Sequence, residues 1–297
     1  KVFMGASTGE MLVDSIDALD DIFHYSPLTV VTHCEDPQRV KDNEKLFYDK
    51  YGSDLSAEHH HLIRDVESCY LSSSLAVALA KKYDANLHVF HLTTAKEMDL
   101  FSPGPVDGKK ITAEVCVHHM YFNESYYAEL GNQIKCNPSI KDESDRLALI
   151  KALKEDKIDI IASDHAPHTW DEKMMQYQDA PAGLPLVQHE LQILMDFYNE
   201  GILSLETIVE KTSHNVAKRF QVKDRGYIRE GYYADLAILD IDKSYTVSEE
   251  NILYKCGWSP FAGKTFNSSI YMTIVNGHIA FQDNQINQDL PFGMQVE

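Results

Sequence analysis

Two histidines and an acid stand together in Ser163-Asp164-His165-Ala166-Pro167-His168, directly after the apolar run 158–162. A buried parallel strand that delivers polar groups at its C-terminal end has this pattern. Three further apolar stretches carry groups able to bind a metal ion. His33 follows Leu28-Thr29-Val30-Val31-Thr32, His91 closes His88-Val89-Phe90-His91, and Lys1 adjoins Val2-Phe3-Met4. Read as strand ends, Lys1, His33, His91 and Asp164 form a candidate ligand set, since imidazole and carboxylate suit zinc and similar divalent ions. A protonated lysine repels cations. It becomes a ligand only as the carbamate formed with carbon dioxide, whose two oxygens can bridge two metals. Asp164 could touch such a metal and also carry a proton, taking it from an activated water and returning it to a leaving nitrogen.

Each of these residues has a plainer reading. A lone histidine on a strand is commonly a hydrogen-bonded core residue, and His88 and His119 are assigned that role. His118 fits either role. His59-His60-His61 reads as solvated surface at a helix start. A lysine beside a strand is commonly a surface charge, and an aspartate after a strand commonly caps a helix. The recurrence of metal-compatible groups at four strand ends favours the site.

The elements needed to position these groups are visible in the periodicity. Strands are expected at 1–4, 28–32, 86–92, 110–117 and 158–162. Helices are expected at 11–23, 42–51, 57–83, 95–100, 124–130 and 142–156, the last opened by Asp142 as a cap. Helices follow at 185–199 and 204–220, and 170–180 reads as a polar, mobile loop. Alternating strands and helices indicate an α/β fold with a parallel sheet. Polar groups at successive strand ends favour a barrel, which brings those ends to one point. After about residue 222 the pattern becomes short strands and turns, with a hairpin through Asn276-Gly277. The expected domains are therefore 1–222, an α/β barrel portion, and 223–297, a small β-sandwich module.

Whole-chain properties limit the options. The 297 residues are 44% hydrophobic and 25% charged, with a net charge of −19. That charge argues against a nucleic-acid partner, which requires concentrated Lys and Arg. No apolar run approaches the roughly 20 residues of a membrane span. Five cysteines, Cys34, Cys69, Cys116, Cys136 and Cys256, show no Cys-x-x-Cys spacing. Free thiols in a cytoplasmic protein are expected. The chain opens inside what reads as a strand, so a longer parent protein is also expected.

The segments Lys1-Val2-Phe3-Met4, Thr32-His33-Cys34-Glu35, His88 to Thr94, Thr112 to Val115 with His118-His119, and Ser163 to His168 occur in the order seen in dihydroorotases. These are cyclic amidases of the amidohydrolase superfamily. The tail from Gly231 to Asp240 is similar to the β-sandwich that accompanies their barrel. The resemblance spans nearly the whole chain. It implies zinc, two ions bridged by carboxylated Lys1, with His33, His91 and Asp164 as further ligands and Asp164 as proton shuttle. It implies that His168 holds a substrate carboxylate and that Asn137, Ala182 and Gly183 line the substrate ring. The implied reaction interconverts dihydroorotate and N-carbamoyl-L-aspartate in pyrimidine biosynthesis. The partners expected are a small anionic cyclic amide and, for assembly, a second copy in a homodimer, with no nucleic acid and no membrane.

One departure stands out. The family's barrel begins with a His-x-His pair and an arginine on its first strand, and no such pair stands in that place here. The strands present would then be the fourth to the eighth, with roughly a hundred or more residues preceding them in a barrel of about 250. Two rival readings follow. One is a cyclic amidase closer to hydantoinases, dihydropyrimidinases or allantoinases. The other is a catalytically inactive dihydroorotase-like scaffold subunit.

Overall fold

The structure is a computed structural model that describes residues 1–5, 11–288 and 293–296. It divides into two compact units, Lys1–Leu186 and Val187–Glu297.

The first unit is built on five strands: β1 (Val2–Phe3), β2 (Val30–His33), β3 (Leu87–Val89), β4 (Ile111–Cys116) and β5 (Ile160–Ala162). They pair in parallel in the order β1-β2-β3-β4-β5. Val30, Leu87, Val89, Ala113, Val115, Ile160 and Ile161 are buried, as expected of strands covered on both faces. Helical segments connect each strand to the next. This is the α/β arrangement expected, a run of consecutive βα units of the TIM-barrel type.

Caps decide where the helices begin, and here the structure corrects the expected bounds. Helix α1 spans Ile16–Tyr25, not 11–23, because Ser15 accepts from the Ala18 amide and starts it there. The residues before it continue the sheet: Leu12 bridges to Phe3, and the Val13 amide donates to the Phe3 carbonyl. Helix α2 (Pro37–Tyr51) starts five residues before the expected 42, with Asp36 as cap and proline in its first turn. The helix expected over 57–83 is three pieces: turn Ala57–His59, short helix His60–Ile63, and α3 (Val66–Tyr83). Arg64 leaves the helical conformation, and Asp65 caps α3 by accepting from the Ser68 amide. Helix α4 (Glu143–Lys154) follows Asp142 as expected and buries Leu149, Ile150 and Leu153. Truncating one such leucine to alanine costs about 2–5 kcal/mol.

The second unit opens with α5 (Glu190–Asn199), which begins later than the expected 185. The helix expected over 204–220 is interrupted: α6 (Leu205–Val209) and α7 (Asn215–Arg219) flank a π-helical turn at Glu210–His214. The strands β6 (Leu236–Asp240), β7 (Tyr245–Thr246), β8 (Thr265–Phe266), β9 (Ser269–Val275), β10 (His278–Gln282) and β11 (Gln285–Ile286) form the expected β-rich tail. Four make an antiparallel sheet in the order β11-β10-β9-β6, and β7 pairs with β8. Asn276 (φ 50°) and Gly277 (φ 82°) both lie at positive φ, as a type I′ hairpin turn requires. The helical pattern gives way to strands after Arg219, and we propose the domain boundary at 222/223 on that change of pattern. Among the described residues no helix is long and apolar enough to cross a membrane.

Candidate active site

Because the sheet is parallel, the C-terminal ends of its strands share one edge. His33 is the last residue of β2. His91 follows β3 by two residues, and Asp164 follows β5 by the same interval. Both leave their strands through left-handed backbone, at φ 39° and 47°. Neither is glycine, and such conformations concentrate where surrounding structure holds a functional group in place. No helix starts at Asp164, so the helix-cap reading of this residue fails.

The two imidazoles meet. His33 Nδ1 lies 3.1 Å from His91 Nε2, with both rings buried. Glu35, two residues beyond His33 and also buried, accepts from His33 Nε2 at 2.8 Å. A carboxylate can only accept, so it places the proton on Nε2 and leaves a lone pair on Nδ1, facing His91. Burial lowers the pKa of His91 well below the ordinary histidine value, and the charges of His33 and Lys1 add to the effect. Two buried imidazoles whose nitrogens face one another suit a shared cation. Zn–N bonds of about 2.0–2.1 Å place two nitrogens on one tetrahedral ion about 3.3 Å apart.

Glu35 is held in turn by Arg64, whose guanidinium donates at 2.7 Å. Burial alone would raise the Glu35 carboxyl. Arg64, the His33 hydrogen bond and Lys141 outweigh it and hold this group far below the usual carboxylate range. Glu35 and Arg64 were not singled out in the sequence. The spacing His33-x-Glu35 just past the expected strand was the available signal, because residues two apart share a face wherever the chain stays extended.

Lys1 departs from its expected place. It precedes β1 and is exposed, whereas His33, His91 and Asp164 follow their strands. Its ammonium reaches 4.7 Å from the Phe3 ring centroid and 4.9 Å from that of Phe90, next to His91. Asp164 is half-buried, and its charge and that of His91 are both felt by His119. Of the four, His33 and His91 are in direct polar contact, Lys1 stands over the ring of Phe90 next to His91, and Asp164 is tied to this end of the sheet through the charge it exerts on His119.

Arg64, which holds Glu35, also lines a cleft of about 580 Å³, together with Lys41, His60, Lys135, Asn137, Tyr177 and Ala182 among others. That volume suits a small ligand. Asn137 and Ala182, both expected at the substrate ring, line it, and the buried Asn137 side-chain oxygen has no partner. His168 stands 3.2 Å, through Nε2, from the Ala182 carbonyl. Thr169, not His168, caps the turn that follows. Gly183 is needed where it is: at φ 144°, a Cβ there would lie 2.4 Å from the Ala166 carbonyl oxygen. Lys135 lines the cleft with its pKa pushed down to about 8 by burial.

One histidine expectation changes. His60 is not solvated surface: it is 1% exposed, with Nε2 at 2.8 Å from the Cys136 carbonyl and Nδ1 at 2.8 Å from the Tyr177 hydroxyl. These two bonds hold His60 in the wall of the cleft. The segment 170–180 is anchored, not loose. Buried Lys173 donates to the carbonyls of Lys135, Pro181 and Gly183 at 3.1, 2.9 and 3.0 Å. His88 is the core residue expected, held by Thr112 and Glu114. His119 is buried beside His118, and both stand within reach of Cys116.

A model of the amidohydrolase family matches residues 28–280. The chain belongs to the amidohydrolase family. Membership implies a metal cofactor, which the paired imidazoles fit. This amidohydrolase is 36% identical over 207 residues to the dihydroorotase of Clostridium acetobutylicum, covering 69% of this chain and 49% of that one. It is 33% identical over 267 residues to the dihydroorotase of Carboxydothermus hydrogenoformans, covering 86% and 58%. With the dihydroorotase of Pyrococcus furiosus it shares 31% identity over 291 residues, covering 96% and 62%. The chain thus spans about half to three-fifths of the length of these relatives. Among solved structures, L-hydantoinase (dihydropyrimidinase) from Arthrobacter aurescens superposes with a TM-score of 0.90 at 23% identity, over 99% of this amidohydrolase and 67% of that chain. The dihydropyrimidinase of Brevibacillus agri NCHU1002 gives 0.85 at 21%, over 96% and 64%. These two likenesses establish the shared fold.

Proposed function

We propose that this protein is a metal-dependent cyclic amidase that interconverts dihydroorotate and N-carbamoyl-L-aspartate. The observation that carries the reading is the pair of buried imidazoles facing one another at 3.1 Å, with Glu35 fixing the tautomer of His33. The likeness to dihydroorotases supports the choice of substrate.

In this reading Lys1, as its carbamate, would join His33, His91 and Asp164 in holding the metal, expected to be zinc. The bound metal would supply Lewis acidity, polarising the amide carbonyl and easing deprotonation of water. The remaining work falls to the chain. Asp164 accepts a proton from the attacking water and passes it to the ring nitrogen as the carbon–nitrogen bond breaks. His168 and Asn137 orient the anionic ring, and the backbone of Ala182 and Gly183 lines it. Lys135 and Lys173 hold the carbonyls around that backbone segment, so the wall of the ring pocket is set before substrate arrives.

Turnover of dihydroorotate, hydantoin and dihydrouracil by the purified, zinc-loaded protein tests the assignment. Preference for dihydroorotate is expected. Preference for either neutral ring would replace the substrate, and no turnover of any of the three would leave the scaffold reading.

A further inference from the structure

The first unit holds a second group of metal-compatible donors. Cys116 ends β4, and the chain turns at once into the helical turn Val117–Tyr121. Cys116, His118 and His119 are thereby placed so that one donor atom from each lies within 4.8 Å of the others. All three side chains are buried, at 0%, 0% and 3% exposure. We propose that Cys116, His118 and His119 form a second metal site, one that takes a single zinc-like divalent ion and shares no donor with the His33–His91 pair.

The unpartnered nitrogens carry the inference. Both ring nitrogens of His118 are buried without a hydrogen-bond partner. Buried polar atoms are nearly always satisfied, and an exception calls for a ligand or another specific reason. His119 directs Nε2 to the Pro138 carbonyl at 3.0 Å, which places its proton there and leaves a lone pair on Nδ1. That Nδ1 is buried and has no partner either. Such a division of the two ring nitrogens, one donating to a carbonyl and one open, is typical of ligating histidines.

The donors also choose the metal. One thiolate and two imidazoles select zinc-like ions over magnesium or calcium, which take oxygen ligands. Three protein donors leave the fourth tetrahedral position to an exchangeable ligand. Sulfur and nitrogen on one zinc ion stand roughly 3.6 Å apart, so donors that already lie within 4.8 Å of one another need at most a small adjustment to bind it. His118, with no hydrogen bond on its ring nitrogens, is the donor least tied to its present orientation. The metal displaces the Cys116 thiol proton, which leaves to solvent as the sulfur–metal bond forms.

Cobalt(II) tests the site because a cysteine ligand gives a thiolate-to-cobalt charge-transfer absorption, and the site proposed for catalysis contains no cysteine. Metal-free protein titrated with cobalt(II) should develop this absorption, and Cys116→Ser should lose it together with one equivalent of bound metal. His118→Asn should lose it as well and serves if Cys116→Ser does not fold. Cys136→Ser should keep it, as should His33→Asn, which removes dihydroorotate turnover if the proposed function holds. No charge-transfer absorption in cobalt-bound wild-type protein would overturn the site. Absorption that survives Cys116→Ser, or follows Cys136 instead, would overturn it equally.

Discussion

The strand ends of the first unit and the β9–β10 hairpin of the second place side chains by opposite means. At the strand ends, partners come from distant sequence. Arg64 holds Glu35 across 29 residues, His33 meets His91 across 58, and His60 reaches the Cys136 carbonyl across 76. In the hairpin, β9 and β10 are joined by a turn set by the two residues Asn276 and Gly277. The strand ends bury charge and must match it with a partner. The hairpin leaves residues such as Tyr271 and Ile279 exposed and needs only local backbone geometry. Substitutions should therefore be far costlier at the strand ends.

The largest effect is expected at Arg64. Arg64→Met leaves the Glu35 carboxylate buried without its cation and should lower stability by about 3–5 kcal/mol, read by denaturant unfolding. The contribution has a defined pH window. The folded pKa of Glu35 is depressed, so its stabilisation is present above the ordinary carboxylate range and is lost as pH falls below that range. Acid should thus narrow the gap between wild type and variant. An unchanged midpoint at neutral pH would remove the contrast between the two regions.

Asp164→Asn comes next. It should keep the fold and reduce dihydroorotate turnover at least about 100-fold, the low end for losing a general acid–base group. Retained turnover would show that the proton is carried elsewhere. Gly183→Ala should lower kcat/KM about tenfold or more, because the new methyl group meets the Ala166 carbonyl and shifts the ring-lining backbone. Steady-state kinetics with wild-type-like values would mean that this wall tolerates displacement.

The smallest effect belongs to the hairpin. Gly277→Ala forces a side chain into positive φ and should cost about 1–2 kcal/mol, with turnover unchanged. A thermal melt and one rate measurement decide it. If this substitution abolished activity, the hairpin could not be treated as locally encoded.

Much of the fold was legible in periodicity. All five parallel strands and the hairpin lie where alternation and turn residues place them. Helix starts were less so, because Ser15, Asp36 and Asp65 override apolar spacing by capping backbone amides. His33, His91 and Asp164 were legible as strand-end residues. Lys1 was misplaced along its strand, since a lysine side chain is long enough to reach the neighbourhood from before β1. His60 was misjudged because a polar triplet reads as surface, whereas its partners Cys136 and Tyr177 lie 76 and 117 residues away.

The sequence by itself determined the alternating strands and helices, the family resemblance, and which residues carry metal-compatible groups, since these depend on residue type and local spacing. Only the tertiary structure decided which of those groups meet. It joined His33 to His91, set Arg64 behind Glu35, buried His60, and gathered Cys116 with His118 and His119. The physical reason is that a buried polar group must find its partner in space. A parallel sheet brings together strand ends that lie tens of residues apart in the chain.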